Sequence, residues 1–267
     1  MDEPLLAVDG LTIAFGGVRA LADVGFRLER GRILAVIGPN GAGKTTILNC
    51  ISGLYRPDAG RILYRGRAVE GLKPHRIAAL GIARTFQNIE LFGHMTTMSN
   101  LLLGRHLHMR TGVLSGMALL GPWSPAAREE RRHREKVEEI IDFLDLQSAR
   151  DEFAVNLPYG VRKKVELGRA LALEPDLLLL DEPAAGMNLE EKQDMMIWIR
   201  DIQEAFGISM ILIEHDMKVV GDLSDHVVAL NYGEKIAEGT PAEVQRHPEV
   251  LKAYLGADAP AQAEGGS

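Results

Sequence analysis

The sequence has almost no cysteine. Its 267 residues include a single one, Cys50, so no disulfide can form within the chain, and this usage suits a reducing compartment. Cys50 comes shortly after a glycine-rich loop, and no histidine and carboxylate stand out as partners that would activate it. We therefore interpret Cys50 as a small buried hydrophobic residue and not as a nucleophile.

The sequence also lacks the runs of charge or hydrophobicity that mark nucleic-acid-binding and membrane-spanning proteins. The formal net charge is −7 and there is no long basic tract, so we expect no nucleic acid among the partners. Apolar runs such as residues 177–180 and 208–213 are far shorter than the ~20 residues that a spanning helix needs. The opening Met-Asp-Glu-Pro has no apolar segment, so we expect no secretory signal.

Apolar strands alternate with helices along most of the chain, which predicts an α/β domain with a parallel sheet covered on both faces. An N-terminal antiparallel sheet is predicted from three short runs, at residues 5–8, 11–15 and 24–28. A strongly charged helix that begins at Pro125 indicates a helical insertion at about residues 88–156. The domain is expected to cover residues 1–255. The Ala-, Gly- and Pro-rich segment 256–267 is expected to be disordered.

A glycine-rich loop lies between a predicted strand, residues 32–37, and a predicted helix, residues 44–52. The loop fits the pattern G-x-x-x-x-G-K-[ST] and consists of Gly38, Pro39, Asn40, Gly41, Ala42, Gly43, Lys44 and Thr45, with Thr46 next. Glycines let successive N–H groups point into one concavity, and the helix N-terminus adds its positive dipole end. Lys44 can bind the β- and γ-phosphates, and the Thr45 hydroxyl can bind Mg²⁺. The loop therefore predicts a site for a nucleoside triphosphate with Mg²⁺.

Two carboxylates follow an apolar predicted strand, residues 177–180. They are Asp181 and Glu182. In a protein with a phosphate-binding loop, an acid in the position of Asp181 meets Mg²⁺ through water. Glu182 is then placed to activate an attacking water as a general base. The same pair alone could be two solvated acids at the start of a loop, but together with the glycine-rich loop it indicates hydrolysis.

Two further polar residues each follow a predicted strand. His215 comes after residues 208–214, and Gln87 comes after residues 82–85. From the carboxyl end of a neighbouring strand, His215 can reach a γ-phosphate. Taken singly, both residues are more often structural or solvated. Their order in the chain, with the loop first and His215 after the two carboxylates, favours a role in the nucleotide site.

With these motifs in this order, the chain resembles the nucleotide-binding subunits of ABC transporters over nearly its whole length. Within them it most closely resembles the ATP-binding subunits of branched-chain amino acid uptake systems. Besides the loop, the resemblance rests on residues 15–17, 84–88, 104–106, 157–160, 181–188, 214–217 and 253–256. It implies a P-loop NTPase (RecA-like) core with an N-terminal antiparallel β subdomain and an inserted α-helical subdomain. It also implies that the chain binds ATP and Mg²⁺ and hydrolyses ATP.

The resemblance also implies a role for individual residues. Phe15 matches the aromatic residue that stacks on adenine, although a strand core residue would look the same. Gln87 matches the glutamine that senses Mg²⁺ and the attacking water and links the site to the membrane subunit. Tyr159 and Gly160 lie in the family signature, which contacts the γ-phosphate of ATP held by the opposing subunit. His215 matches the switch histidine.

The signature is where the chain departs from the family pattern Leu-Ser-Gly-Gly-Gln. Pro158 replaces the serine, Tyr159 the first glycine and Val161 the glutamine, and only Gly160 and the following helix remain to face a phosphate. Proline has neither a hydroxyl nor an N–H. Asn188 stands where the family usually has aspartate. We expect a weakened contact to the partner's ATP, and therefore two unequal ATP sites.

The expected function is that of the ATP-hydrolysing subunit of an importer for branched-chain or other hydrophobic amino acids. The implied partners are permease subunits, a second cassette that is identical or different, and indirectly a periplasmic or extracellular solute-binding protein. The implied location is the cytoplasmic face of the cell membrane. The alternatives are a cassette of a lipid or lipopolysaccharide exporter and a non-transport regulatory ATPase. A GTPase is disfavoured because no Asn-Lys-x-Asp motif occurs.

Overall fold

The computed structural model describes residues 3–85, 87–109 and 125–257. The strands are β1 Leu6–Phe15, β2 Val18–Leu28, β3 Ile33–Ile37, β4 Ala59–Tyr64, β5 Arg67–Ala68, β6 Ile82–Arg84, β7 Leu177–Asp181, β8 Ser209–Ile213, β9 His226–Asn231 and β10 Glu234–Gly239. The helices are α1 Lys44–Ile51, α2 Pro74–Ala79, α3 Thr97–Gly104, α4 Pro125–Phe143, α5 Tyr159–Leu171, α6 Leu189–Phe206, α7 Met217–Leu223, α8 Pro241–Gln245 and α9 Pro248–Ala257. The chain forms two compact units, the first from residues 1–77 with 203–267 and the second from residues 78–202.

The first unit contains a four-stranded antiparallel sheet in the order β2-β1-β4-β5. The prediction of this sheet is confirmed, but the prediction of separate strands at residues 5–8 and 11–15 is wrong, because β1 runs through both. The pairing of β1 with β2 shifts register between Val8 and Leu11, and Gly10 there has φ 63°. The sequence Asp9-Gly10 therefore forms a bulge within one strand, although its composition is also typical of a turn.

The first unit also contains parallel strands, with β3 paired to β8 on one side and to β9 on the other. β10 extends this group antiparallel to β9. All five residues of β3 are buried, as expected for a parallel strand covered on both faces. β3 begins one residue later than the predicted strand at residues 32–37, and it leads directly to the glycine-rich loop.

A hydrophobic cluster joins β3 and β9 to the C-terminal helices. Its buried members are Ala35, Ile37, Val220, Val227, Ala229, Val244 and Val250, and Tyr254 packs against them. Thr240 begins α8 with a capping box, in which its side chain and that of Glu243 each bind the other's backbone N–H. The C-terminal helices are therefore packed against the strand that leads to the glycine-rich loop.

The second unit contains β6 and β7 as a parallel pair, with Arg84 opposite Leu179. Between residues 88 and 156 its described regular elements are helical, apart from an isolated bridge between Thr96 and Phe153. A Cβ at Gly168 of α5 would lie 3.1–3.4 Å from the side chains of Leu101 in α3, Ile140 in α4 and Leu144 just after α4. The absence of a side chain at Gly168 therefore lets these three helices pack closely.

Helix α3 was not predicted from the sequence. Thr96 caps it by accepting a hydrogen bond from the Ser99 N–H. Asn100 is fully buried, and its amide binds the backbone of Phe92, Met95 and Thr96. This helix is short and carries a buried amide, so its sequence shows little of the apolar spacing that identifies longer helices.

The segment expected to be disordered, residues 256–267, begins with two helical residues. Helix α9 includes Gly256 and Ala257, and residues 258–267 lie outside the described part of the chain. No helix among the described residues is both long enough and apolar enough to cross a membrane. On α1, Cys50 is buried as predicted, and burial raises the pKa of its thiol to about 11.

Candidate active site

The glycine-rich loop of the first unit has a backbone that requires glycine at two positions. Gly38 has φ 148°, and a Cβ there would lie 2.2 Å from the carbonyl oxygen of Leu230. Gly43 has φ 102°, and its Cβ would lie 2.6 Å from the carbonyl oxygen of Ala20. Any side chain would collide with backbone at both positions, so the loop conformation depends on these glycines.

The loop ends at the N-terminus of α1 in a form suited to an anion. Gly43 is the N-cap residue and supplies no side chain to cap the helix, and the first turn contains no acidic residue. The positive end of the helix dipole therefore acts at the loop. Asn40, Gly41 and Thr45 are exposed, and Thr46 is half-buried. The loop is thus open to a phosphate.

Lys44 is buried, and its ammonium group lies under the loop. Its Nζ donates to the carbonyl oxygen of Gly38 at 2.7 Å and to that of Pro39 at 3.0 Å. These bonds hold the positive charge close to the loop backbone. A phosphate bound at the loop would therefore contact backbone N–H groups as well as a cation.

Phe15 lies at the end of β1 and is 45% exposed. Its ring meets that of Tyr55 edge to face, with centroids 5.0 Å apart. A core residue would be buried, so the exposure favours the aromatic-platform interpretation over the alternative of a strand core residue. Sequence reasoning missed Tyr55, and only the fold brings this ring next to Phe15.

His215 follows β8, at the same sheet edge as the glycine-rich loop. Val36 of β3 lies opposite Ile213 of β8, so Gly38 and His215 each come two residues after this parallel pair. The His215 side chain is exposed, whereas Glu214 before it is buried. The first unit therefore brings together the loop and the histidine that the sequence singled out.

In the second unit, Gln87 and Glu182 are in direct contact. The Gln87 Nε2 donates to Glu182 Oε2 at 3.1 Å. This contact follows from the pairing of β6 with β7, which continues as the Thr85 N–H donates to the Leu179 carbonyl at 2.9 Å. Phe86, part of the motif at residues 84–88, lies outside the described residues. The amide and the carboxylate that the sequence placed in one site are thus hydrogen-bonded.

Asp181 lies at the end of β7 and forms a buried ion pair. Its Oδ2 is 3.0 Å from an Arg84 guanidinium nitrogen, and the two side chains are 3% and 8% exposed. Glu182, the next residue, has φ 48°, a strained value for a residue other than glycine. Arg84 belongs to the motif at residues 84–88, but its pairing with Asp181 was not predicted because the two residues lie far apart in the chain.

The signature segment is held by the residues that follow the two carboxylates. The Tyr159 hydroxyl donates to the carbonyl oxygen of Ala185 at 3.0 Å. A Cβ at Gly186 would lie 3.2–3.4 Å from the Tyr159 phenol ring. Gly160 faces Glu191, which in turn exchanges hydrogen bonds with Asn188. The tyrosine that departs from the family pattern therefore contacts the segment around Gly186.

A buried lysine, which sequence reasoning also missed, links the signature helix to Gln87. Lys163 is 4% exposed, and its Nζ donates to the Gln87 carbonyl at 2.8 Å. Its Nζ also lies 3.8 Å from a carboxylate oxygen of Glu166, which is equally buried. Burial lowers the pKa of Lys163, and the Glu166 carboxylate opposes that shift. Helix α5 is thus tied to the backbone of the residue that binds Glu182.

Known proteins resemble this chain in both sequence and fold. The sequence matches the family described as "ABC transporter" over residues 21–185. The chain belongs to the ABC transporter family. As a cassette of this family, it binds and hydrolyses ATP. A second match, to the family described as "Branched-chain amino acid ATP-binding cassette transporter", covers residues 234–260.

Curated relatives match the cassette over almost its whole length. The high-affinity branched-chain amino acid transport ATP-binding protein BraF of Pseudomonas aeruginosa is 41% identical over 257 residues, which cover 96% of this chain and 99% of that protein. LivG of Escherichia coli K12, with the same description, is 40% identical over 256 residues, with the same coverage. The resemblance stated from the motifs is therefore confirmed.

Solved structures confirm the predicted fold class. An ATP-binding cassette of an ABC transporter in its ADP conformation superimposes with a TM-score of 0.82 at 31% identity, over 96% of this chain and all of that one. A nucleotide-free cassette gives a TM-score of 0.81 at 30% identity, over 94% of this chain and 99% of that one. The cassette is therefore a P-loop NTPase.

Proposed function

We propose that the chain is the ATP-hydrolysing subunit of an importer for branched-chain or other hydrophobic amino acids. The observation that carries the enzymatic part is the hydrogen bond between Gln87 and Glu182 beside the buried Asp181. A carboxylate that an amide holds in place can act as the general base on a water within hydrogen-bond reach. The relatives BraF and LivG support the substrate class.

The glycine-rich loop binds the phosphates of ATP in this proposal. Backbone N–H groups of the loop and of the first turn of α1 bind the β- and γ-phosphates, and Lys44 adds its charge. Phe15 stacks on the adenine, for which its exposed ring is suited. His215 contacts the γ-phosphate from the same sheet edge. Each of these groups binds or orients the nucleotide.

Mg²⁺ is the metal that the site would hold. The Thr45 hydroxyl, Asp181 and Gln87 are all oxygen donors, which suits a hard cation. When bound, Mg²⁺ neutralises the charge that develops on the phosphates. A cage of three or more side chains is not needed, because Mg²⁺ usually takes one or two carboxylates and completes its shell with water and phosphate. The donor set therefore fits the metal.

Glu182 acts as the general base. It accepts the proton of the attacking water, and Gln87 orients both the carboxylate and the water. The arginine beside Asp181 holds that carboxylate in a buried ion pair, so that Asp181 serves as the ligand and Glu182 as the base. The division of roles between the two adjacent acids follows from their different partners, an arginine and an amide.

Assembly completes the site and couples it to transport. Tyr159 and Gly160 contact the ATP held by a second cassette, which is either identical or different. Gln87 passes the state of the nucleotide to permease subunits, and a periplasmic or extracellular solute-binding protein delivers the amino acid to them. The chain thus works at the cytoplasmic face of the cell membrane, as a peripheral subunit.

Reconstitution tests this function. The chain, its permease subunits, the second cassette and the solute-binding protein are placed in liposomes with ATP and labelled leucine, isoleucine or valine. We expect ATP-dependent uptake that Glu182→Gln abolishes and Glu190→Gln, at an exposed acid of α6, leaves unchanged. ATP consumption coupled to lipid movement, with no amino acid uptake, would contradict the proposal.

A further inference from the structure

Helix α9 reaches the glycine-rich loop through one side chain. The N–H of Gly38, the first residue of the loop, donates to the hydroxyl oxygen of Tyr254 at 2.9 Å. Gly38 is buried and Tyr254 is half-buried. The two residues are separated by 216 positions in the chain. The residue that begins the phosphate-binding loop is therefore bonded to the last described helix.

This bond fixes one of the two polar groups that Gly38 offers. The other, its carbonyl oxygen, accepts from the Lys44 Nζ at 2.7 Å. Gly38 has no side chain that could restrict its backbone, and no room for one, because Leu230 lies against its Cα. A glycine peptide rotates more freely than any other. Its orientation here consequently depends on the bonds made by Tyr254 and Lys44.

Tyr254 is well placed to impose an orientation. Its ring packs against the hydrophobic cluster of β3, β9 and the C-terminal helices, which includes Ala35 and Ile37 of the strand that leads to the loop. Burial raises the pKa of the Tyr254 hydroxyl, so the group remains neutral at physiological pH. The hydroxyl is thus presented to Gly38 from a packed position.

The C-terminal segment makes a second bond near this sheet edge. The Gln245 Nε2 of α8 donates to the Met217 carbonyl at 3.0 Å, and Met217, the first residue of α7, comes two residues after His215. Tyr254 and Gln245 both lie in residues 234–260, the segment matched by the branched-chain amino acid cassette description. This segment therefore contacts the backbone at the first residue of the glycine-rich loop and close to His215.

We propose that Tyr254 is a positioning residue of the nucleotide site, which sets the Gly38 peptide and through it the phosphate-binding loop. The inference rests on the proposed role of the loop in binding ATP. It assigns to the C-terminal segment a part in nucleotide affinity. Tyr254 touches neither the nucleotide nor the reacting atoms, and it acts through Gly38.

The test is Tyr254→Phe in the full chain, with ADP as the probe. Phenylalanine keeps the ring in the cluster but removes the hydroxyl that accepts from the Gly38 N–H, so a buried N–H loses its acceptor. We expect the Kd for ADP, measured by titration calorimetry, to rise about five- to tenfold, the equivalent of losing one net hydrogen bond.

The matched control is Val250→Ala, on the same helix and in the same cluster. Val250 is 2% exposed, so its truncation weakens the packing but leaves the Tyr254 hydroxyl in place. We expect a lower Tm with an unchanged Kd. An equal rise in Kd for the two variants would show a general packing effect and overturn the proposal, as would an unchanged Kd for Tyr254→Phe.

Two further measurements distinguish a failure of the proposed function from a failure of the role assigned to Tyr254. If Lys44→Ala also leaves the Kd for ADP unchanged, the loop is not the nucleotide site and the proposed function fails. If Lys44→Ala raises the Kd while Tyr254→Phe does not, only the role of Tyr254 is refuted. Should Tyr254→Phe not fold, hydrogen exchange in the unaltered chain decides, because rapid exchange of the Gly38 amide without nucleotide would contradict the bond.

Discussion

The glycine-rich loop and the signature segment, residues 157–161, are built in opposite ways. The loop is made of backbone, and carbonyl groups of other strands leave no room for a side chain at Gly38 and Gly43. The signature segment is held by a side chain, because Tyr159 bonds to Ala185 and packs on Gly186. The loop therefore requires glycine at positions 38 and 43. The signature segment, in contrast, is held in place by Tyr159, a residue that differs from the family pattern.

This difference explains why one motif is intact and the other is altered. A concavity of N–H groups exists only if the backbone takes left-handed conformations, so the positions that adopt them must remain glycine. At a helix N-terminus every residue except proline presents its N–H whatever its side chain is, and here the proline precedes the helix. The signature can therefore change at three positions and keep its helix, with Tyr159 adding a contact that glycine could not make.

The largest effect is expected from Lys44→Ala in the loop. The substitution removes the cation from beneath the phosphates, and ATPase activity should fall by at least ~100-fold, as when one preorganised charge-stabilising group is lost from an active site. Phosphate release measures the rate, and Lys73→Ala, at an exposed lysine of the same unit, serves as control. Undiminished turnover would show that the loop does not bind the phosphates.

Glu182→Gln should stop the chemistry and leave binding intact. The new amide oxygen can still accept from Gln87, so the geometry is retained while the base is lost, at a cost of about 100-fold or more in rate. Gel filtration with ATP should reveal a trapped dimer. Normal hydrolysis would mean that another group takes the proton.

A smaller effect is expected from Tyr159→Phe, which loses the hydroxyl bond to Ala185 but keeps the ring on Gly186. One exposed hydrogen bond is worth about 1 kcal/mol or less, so the ATPase rate of the assembled transporter should fall about two- to fivefold. Nucleotide affinity of the isolated chain should not change. Tyr232→Phe, at a residue that is 85% exposed, is the control. An equal fall in the ATPase rate of both variants would show that the Tyr159 hydroxyl has no specific role in the signature.

The smallest effect, and the only gain, is expected from Val161→Gln. It restores the glutamine of the family pattern at a half-buried position of α5, where glutamine favours the helix slightly more than valine does. We expect the ATPase rate of the assembled transporter to rise about two- to threefold. An unchanged or lower ATPase rate would indicate that the altered signature does not weaken the contact to the partner's ATP.

Local patterns predicted most strands, most helices and the loop, because each of these depends on neighbouring residues. The buried strand before Gly38 and the helix after it need no information from elsewhere in the chain. The bulge at Gly10 was misread because a turn and a bulge use the same residues, and only the partner strand distinguishes them. Helix α3 was missed because its buried Asn100 is satisfied by backbone that its own sequence does not identify.

The sequence named candidate residues for the site, but it did not predict the contacts between them. Gln87 and Glu182 were both assigned, yet the links made by Arg84, Lys163 and Tyr254 join positions far apart in sequence. Such pairings depend on which strands lie side by side and on which groups are buried. A charged residue in a helix, such as Lys163, is usually on a solvated face, and nothing local indicates otherwise.

The buried Cys50 has a practical consequence for experiments on this cassette. With a pKa of about 11, only on the order of one thiol in ten thousand is ionised at pH 7, and the thiolate is the reactive form. A cysteine introduced at an exposed position could then be labelled selectively, with no need to remove the natural one. Pairs of fluorophores placed in this way would report the approach of two cassettes during ATP turnover in an otherwise unaltered protein.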